Sequence, residues 1–282
     1  MRERGEGLFS SPALTGGGGP HLVEVQTAQQ KPVGITLNQL KYIAIVAMTL
    51  DHIAFAFVPS YSTLYGWMRF IGRLAGPIMF FAAVEGFRHT KNLNRYMLRL
   101  AAFALISWVP FLYFYYGGDL TAGSPLHPSV IFTIFLGVAA VRVQRSSKIQ
   151  SMAVKVVLIT GLVLLSVPAD WGVIGVLIIL TMDRFRVCFS VQMFAFSIIL
   201  LFGLDIIELA VQPIMSLAYY GELSVDKNTW MAAIINAGAF LSIDLFSYYK
   251  GQHGRKTWFS KWFFYIYYPA HLMVLGALQA IF

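Results

Sequence analysis

The sequence predicts an all-α fold, a polytopic membrane helical bundle of about nine or ten transmembrane helices. Three observations carry this expectation. Of 282 residues, 57% are hydrophobic and only 12% are charged, against about 25% charged in ordinary soluble domains. Apolar runs approaching the ~20 residues that a span requires recur along the chain. Lys and Arg collect in alternate connections, the asymmetry expected of cytoplasmic loops. A soluble enzyme could not hide so much apolar surface, so the lipid bilayer is the expected solvent. The formal charge of +8 does not indicate nucleic acid, because the basic residues fall mainly between spans. The single cysteine, Cys188, excludes an intramolecular disulfide and a cysteine-rich metal cluster. No metal is expected.

Residues 1–36 read as a disordered, Gly-rich cytoplasmic tail. Thr15 to Pro20 is TGGGGP, a composition that buries too little surface to offset its ordering entropy. No apolar run of signal-peptide length precedes Leu37. The glycines lack the GK[ST] ending of a phosphate loop, so nucleotide binding is not expected there. Residues 37–282 read as one integral-membrane domain without internal repeats. Spans are predicted at 38–58, 64–87, 95–116, 128–143, 152–168, 170–183, 187–204, 229–248 and 260–281. The segment 205–221 is ambiguous, since Asp205 and Glu208 open it and Pro213 divides it.

Orientation follows from the loops. Basic residues crowd the second, fourth, sixth and last connections, for example Arg88, Lys91, Arg95 and Arg99 in the second. The stretches 117–125 and 168–170 carry none. This alternation places the N-terminus in the cytoplasm and the C-terminus outside, with nine spans. A complete tenth span at 205–221 would move the last basic loop outside, so a partial or re-entrant segment is expected there.

Ionisable residues at membrane depth cost several kcal/mol and usually face the bundle interior for functional reasons. They are Lys41, Asp51 and His52 in the first span, Arg69, Arg73 and Glu85 in the second, and Asp244 and His271 in the last two. Lys41 and His52 stand eleven residues apart. At ~100° per residue they share a face within about 20°, and at 1.5 Å per residue they are about 16 Å apart along the axis. Ala44, Ile45 and Met48 lie between them. A long, thin ligand with an anionic head and a reactive far end suits this arrangement, and acyl-coenzyme A is such a ligand. Neutral imidazole is the usual general base near neutral pH, so His52 could take a proton from an attacking acceptor. Lys41 also reads as a snorkelling flank residue, and His52 as a structural core histidine.

Asp51 is adjacent to His52 but about 100° away around the helix, and Arg69 or Arg73 is the alternative partner. Those two arginines are one turn apart, in a helix loosened by Gly72, Gly76 and Pro77. Each must meet a carboxylate, a carbonyl, water or a ligand phosphate, and a structural ion pair competes with a ligand role. In the last span Pro269 leaves the Tyr265 carbonyl without its helical donor, so polar capacity collects near His271, with Tyr267 one turn before it. A kinked helix with a hydrogen-bonded histidine accounts for the same pattern.

The same residues carry a resemblance. LKYIAIVAMTLDHI, MRFIGRLAGPIMFFAAVEGFRHTKN, YMLRLAAFALISWVPF, DWGVIGVLIIL and FYIYYPAHL, in this order from about Leu40 to Leu275, resemble signatures of the TraX family. That family is named for the F-pilin acetylase, an inner-membrane enzyme of conjugative plasmids. The Lys41-to-His52 spacing is also similar to the basic-residue-to-histidine motif of integral-membrane acyltransferase-3 proteins. The resemblance implies a multi-pass protein of the bacterial cytoplasmic (inner) membrane that transfers an acyl group from cytoplasmic acyl-CoA, with acetyl-CoA as donor. It implies His52 as catalytic histidine and Lys41, Arg69 and Arg73 as donor contacts; Asp51 and His271 are further catalytic candidates because they are ionisable at membrane depth. The acceptor is an amine or hydroxyl of a peptide, sugar or small molecule, a pilin-like N-terminus among them; the oligomeric state is not indicated. Intramembrane Asp, His and Arg would also serve a secondary transporter or proton-coupled channel, and a structural subunit of a pilus or secretion assembly is the third reading.

Overall fold

A computed structural model describes residues 34–60, 62–252, 254 and 258–281. The predicted tail lies outside the described residues up to position 33. Its last three residues lead into the first helix: Ile35 forms a parallel bridge to Tyr249, and Thr36 caps the helix. The Thr36 hydroxyl accepts from the Gln39 amide, while the Gln39 side chain accepts from the Thr36 amide. This reciprocal box satisfies two groups that a helix start otherwise leaves unpaired.

Thirteen α-helices follow among the described residues: α1 (Leu37–Phe57), α2 (Thr63–Gly72), α3 (Ala75–His89), α4 (Leu93–Ile106), α5 (Trp108–Tyr115), α6 (Val130–Arg145), α7 (Met152–Leu165), α8 (Gly172–Arg184), α9 (Phe189–Gly203), α10 (Glu208–Tyr220), α11 (Lys227–Ala237), α12 (Leu241–Ser247) and α13 (Trp258–Ile281). Helices satisfy their backbone groups within one segment, which lipid requires.

Five stretches are long and apolar enough to cross a membrane: 37–57, 63–89, 93–115, 227–247 and 262–281. The pair α9 and α10, bent by 44°, makes a sixth if it forms one span. The chain is a multi-pass membrane protein. The larger number expected from apolar runs counts α6, α7 and α8, which have 16, 14 and 13 residues. At 1.5 Å per residue these reach about 20 to 24 Å, short of the about 30 Å hydrocarbon core. An apolar run shows what a helix can lie against and leaves its length open. Among these three, α6 and α8 form the centre of the bundle, with Val138, Val141, Ile178 and Ile179 fully buried, whereas α7 buries no residue. The ambiguous segment 205–221 is the second limb of the bent pair, and Asp205 takes a left-handed backbone (φ 56°) at the bend.

Two breaks shape the site. The second span interrupts between Gly72 and Ala75. Pro77 has no N–H, which deprives the Arg73 carbonyl of its helical donor. Gly72 lies so near α1 that a Cβ there would overlap the Asp51 side chain, and a Cβ at Gly76 would come within 2.5 Å of the Trp171 indole. In α13, Pro269 sits inside a helix of 24 residues. α1 packs against α2, α3 and α13, and α6 against α4 and α8.

Candidate functional site

Helix α1 is the spine of two adjoining cavities. Lys41, Ala44, Ile45 and Met48 line a cavity of about 520 Å³, lined also by residues of α3, α4, α6 and α13. Asp51, His52 and Phe55, farther along the same helix, line a second of about 120 Å³. Met48, Met79, Val130 and Tyr268 belong to both walls, so the chambers adjoin along α1. Ala44 leaves room on this face, and the bulk of Ile45 does not close it.

The large chamber is mainly apolar, with cationic groups in its wall. Lys41 Nζ lies 5.2 Å from the centre of the Phe264 ring. Arg99 also lines this chamber; its guanidinium is 5.8 Å from the Tyr96 ring, and its Nε is buried with no hydrogen-bond partner among the described residues. Sequence reasoning placed Arg99 among the loop cations. Its periodicity with the buried Tyr96 and Leu100 of α4 was the available signal that it faces inward.

The small chamber collects the other polar candidates within walls that include Phe114 and Trp171. Asp51 Oδ2 accepts from Arg69 Nη1 at 2.5 Å. Asp51 Oδ1, Arg69 Nε and Arg73 Nε are buried without hydrogen-bond partners among the described residues. Arg69 and Arg73 are therefore in the chamber of His52, and Lys41 is in the other one. Asp170 joins this cluster, which the sequence reading treated only as part of a connection free of basic residues. Its N–H donates to the Pro128 carbonyl at 3.0 Å and its carbonyl accepts from Thr133 Oγ1 at 2.6 Å. The next residue, Trp171, has φ 59°, a strained backbone for a large side chain; its ring packs edge-on against Phe80.

The two histidines meet. His52 Nδ1 and His271 Nε2 are 2.8 Å apart, and His271 Nδ1 lies 2.9 Å from the Tyr267 carbonyl oxygen. A second link runs beside the first, where Tyr267 Oη and Thr49 Oγ1 are 2.7 Å apart. Thr49 donates to the Ile45 carbonyl at 2.8 Å, so the tyrosine hydroxyl is the donor between them. Asp51 and His52, adjacent in sequence, thus turn to α2 and α13 respectively, as a ~100° step per residue requires.

Glu85 and Asp244 line neither chamber. Glu85 accepts from the Tyr249 hydroxyl at 2.8 Å and from Arg88 at 3.4 Å, and Asp244 is exposed on α12. Burial and the Glu85 carboxylate raise the Tyr249 phenol above its usual range. In the connection from α5 to α6, His127 packs against Phe111 and Tyr115 at ring separations of 5.3 and 4.7 Å. That partial burial lowers its imidazole below the ordinary value. Phe111 and Tyr115 also face the small chamber.

Chemically, the arrangement provides an imidazole with one nitrogen engaged, hydrogen-bond donors and an acceptor without partners, and a larger cavity beside them. Comparison with known proteins gives a family. Residues 36–279 match the family described as TraX protein. The chain is 31% identical, over 242 residues, to the probable fimbrial assembly protein FimC of serogroup H1 from Dichelobacter nodosus, covering 84% of this chain and 93% of that relative. No solved structure matches. A family match across the described bundle and a relative similar over nearly its full length agree with the signature motifs: the chain belongs to the TraX family.

Proposed function

We propose that the protein is a membrane-embedded acyltransferase. It takes an acetyl or short acyl group from cytoplasmic acyl-CoA and passes it to an acceptor amine or hydroxyl. The observation that carries this reading is the pair of adjoining chambers, with Lys41 and Arg99 in one and His52 in the other. The larger, at about 520 Å³, falls in the about 300–1,000 Å³ range of small-molecule sites. Its apolar walls suit a pantetheine arm, and its cations suit the phosphates at the donor's other end. The basic residues about the connection between the second and third spans, Arg88, Lys91 and Arg95, support placing that end at the cytoplasmic face of the inner membrane, with the N-terminus inside.

The thioester then stands in the small chamber. His52 accepts the proton of the attacking amine or hydroxyl. The unpartnered N–H groups of Arg69 and Arg73 are suited to the carbonyl oxygen as it gains negative charge. Asp51 Oδ1 is suited to accept a hydrogen bond from the acceptor. Direct transfer fits better than a covalent enzyme intermediate, since Cys188 is exposed at the start of α9 and lines neither chamber. The name of the FimC relative makes a pilin-like chain the first acceptor to test, ahead of a sugar or a small molecule.

Thermal stabilisation of the purified protein by acetyl-CoA, beyond that given by a nucleotide lacking the pantetheine arm, tests donor binding. Acetylated products found by mass spectrometry in cells with the gene and missing in cells without it test transfer. A structural role in fimbrial assembly, the second reading that the relative's name favours, requires neither result and tolerates His52→Ala.

A further inference from the structure

The contact between α1 and α13 specifies where protons sit as well as which residues touch. A carbonyl oxygen can only accept, so at 2.9 Å from the Tyr267 carbonyl His271 Nδ1 carries the hydrogen. A neutral imidazole has one N–H, which leaves His271 Nε2 as an acceptor. The group facing it at 2.8 Å is His52 Nδ1, which must therefore donate. Neutral His52 then has its hydrogen on Nδ1 and a bare lone pair on Nε2. We infer that His271 is a positioning residue that holds His52 in this one tautomer, keeping Nε2 as the base of the transfer reaction.

The surroundings support a fixed arrangement. The Tyr267 carbonyl has two lone pairs and can serve the His271 side chain as well as the helix. The Tyr267 ring stacks on the His271 ring at 5.0 Å and 12°, and its hydroxyl anchors on Thr49 one turn before His52. The His52 and His271 planes differ by 13°, so ring rotation at either residue would break the link. Arg69 and Arg73 stand in the same chamber as His52.

The catalytic half of this inference rests on the acyltransferase reading; the tautomer itself does not. In the transfer, the acceptor's nitrogen or oxygen bonds to the thioester carbon and its proton passes to His52 Nε2. The carbon–sulfur bond breaks, and the departing thiolate takes that proton from Nε2, which restores neutral His52. The Nδ1 proton stays in place throughout, donating to His271.

The test uses the full chain with histidine labelled in ¹⁵N, in detergent, and two-bond nitrogen–proton correlation spectra. His52→Gln and His271→Gln assign the two rings. Expected is an Nδ1–H tautomer for both residues in the unsubstituted protein; an Nε2–H tautomer at His52 overturns the inference. His271→Leu removes the acceptor and should let His52 sample both tautomers. Its turnover with acetyl-CoA should fall at least about tenfold at nearly unchanged KM, since a tautomer-fixing partner can be worth up to about 10⁴-fold. His271→Gln, whose side-chain carbonyl can accept from His52 Nδ1, should recover most of the loss. Equal turnover in the leucine and glutamine variants also overturns the inference, and the glutamine variant and the wild-type spectrum still decide if the leucine variant fails to fold. A wild-type protein with the expected tautomer and no transfer activity would remove the acyltransferase reading and leave the tautomer assignment standing.

Discussion

Asp51 and Arg69 form a half-satisfied ion pair: Oδ2 accepts from Nη1 at 2.5 Å, while Oδ1 and Nε are buried without partners among the described residues. A pair whose only purpose was to join α1 to α2 would gain from saturating those atoms, since unmet buried polar groups cost about 1–3 kcal/mol each. Leaving them open suits a cavity that receives a ligand.

The pair also makes a stability prediction. Removing one partner strands a buried charge, which costs about 3–5 kcal/mol, whereas replacing both by apolar groups is often nearly neutral. Asp51→Leu alone, which strands both Arg69 and Arg73 in the chamber they share, should therefore lower the melting temperature in detergent more than the double variant Asp51→Leu/Arg69→Met. A double variant less stable than either single one would show that the pair contributes net stability.

Glycine contacts give a second prediction. Gly76→Ala would drive a methyl group into the Trp171 indole, and overpacking of this kind costs about 1–3 kcal/mol. Gly161→Ala, in α7 where a Cβ meets nothing within 4 Å, should instead gain about 0.5–1 kcal/mol from helix propensity. Thermal melts of both variants check the contrast; equal effects would contradict the packing described around Trp171.

For donor binding, we expect Lys41→Ala and Arg99→Gln each to weaken acetyl-CoA binding about tenfold or more, the value of a charge-assisted hydrogen bond of roughly 1.5–3 kcal/mol. Turnover at saturating donor should change little. Calorimetric titration of folded protein reads the affinity. An unchanged dissociation constant in both variants would contradict the placing of the donor's anionic end in the large chamber.

The membrane orientation is open to labelling. With Cys188 replaced by Ala, a cysteine at Ala122, between α5 and α6, should react with an impermeant reagent in intact cells. A cysteine at Lys91, between α3 and α4, should not. The reverse pattern would invert the orientation.

The spine of the site was legible in the sequence, because helical periodicity alone sets Lys41, Ala44, Ile45, Met48 and His52 on one side of α1. The Gly72, Gly76 and Pro77 cluster likewise announced the break that separates α2 from α3. The link between His52 and His271 joins residues 219 positions apart, and no local rule relates them; only the packing of α1 on α13 does. Arg99 was hidden by a rule that counts basic residues in loops without asking which face of α4 they occupy. Asp170 and Trp171 were hidden because a connection's backbone conformation is set by its contacts, here those with Pro128 and Thr133. The span count differed for a related reason, since hydropathy reads polarity along α6, α7 and α8 and these helices are too short to cross a membrane unaided.

His52→Ala tests the central claim most directly, measured as turnover of acetyl-CoA beside acetyl-CoA affinity in the same folded protein. His52 lines the small chamber, and the donor's anionic end is assigned to the large one, so affinity should stay within about twofold. Turnover should fall by the roughly 10²–10⁴-fold that general-base catalysis contributes. Near-normal turnover in His52→Ala would contradict the account, and a loss found only in His271→Ala would move the base to His271.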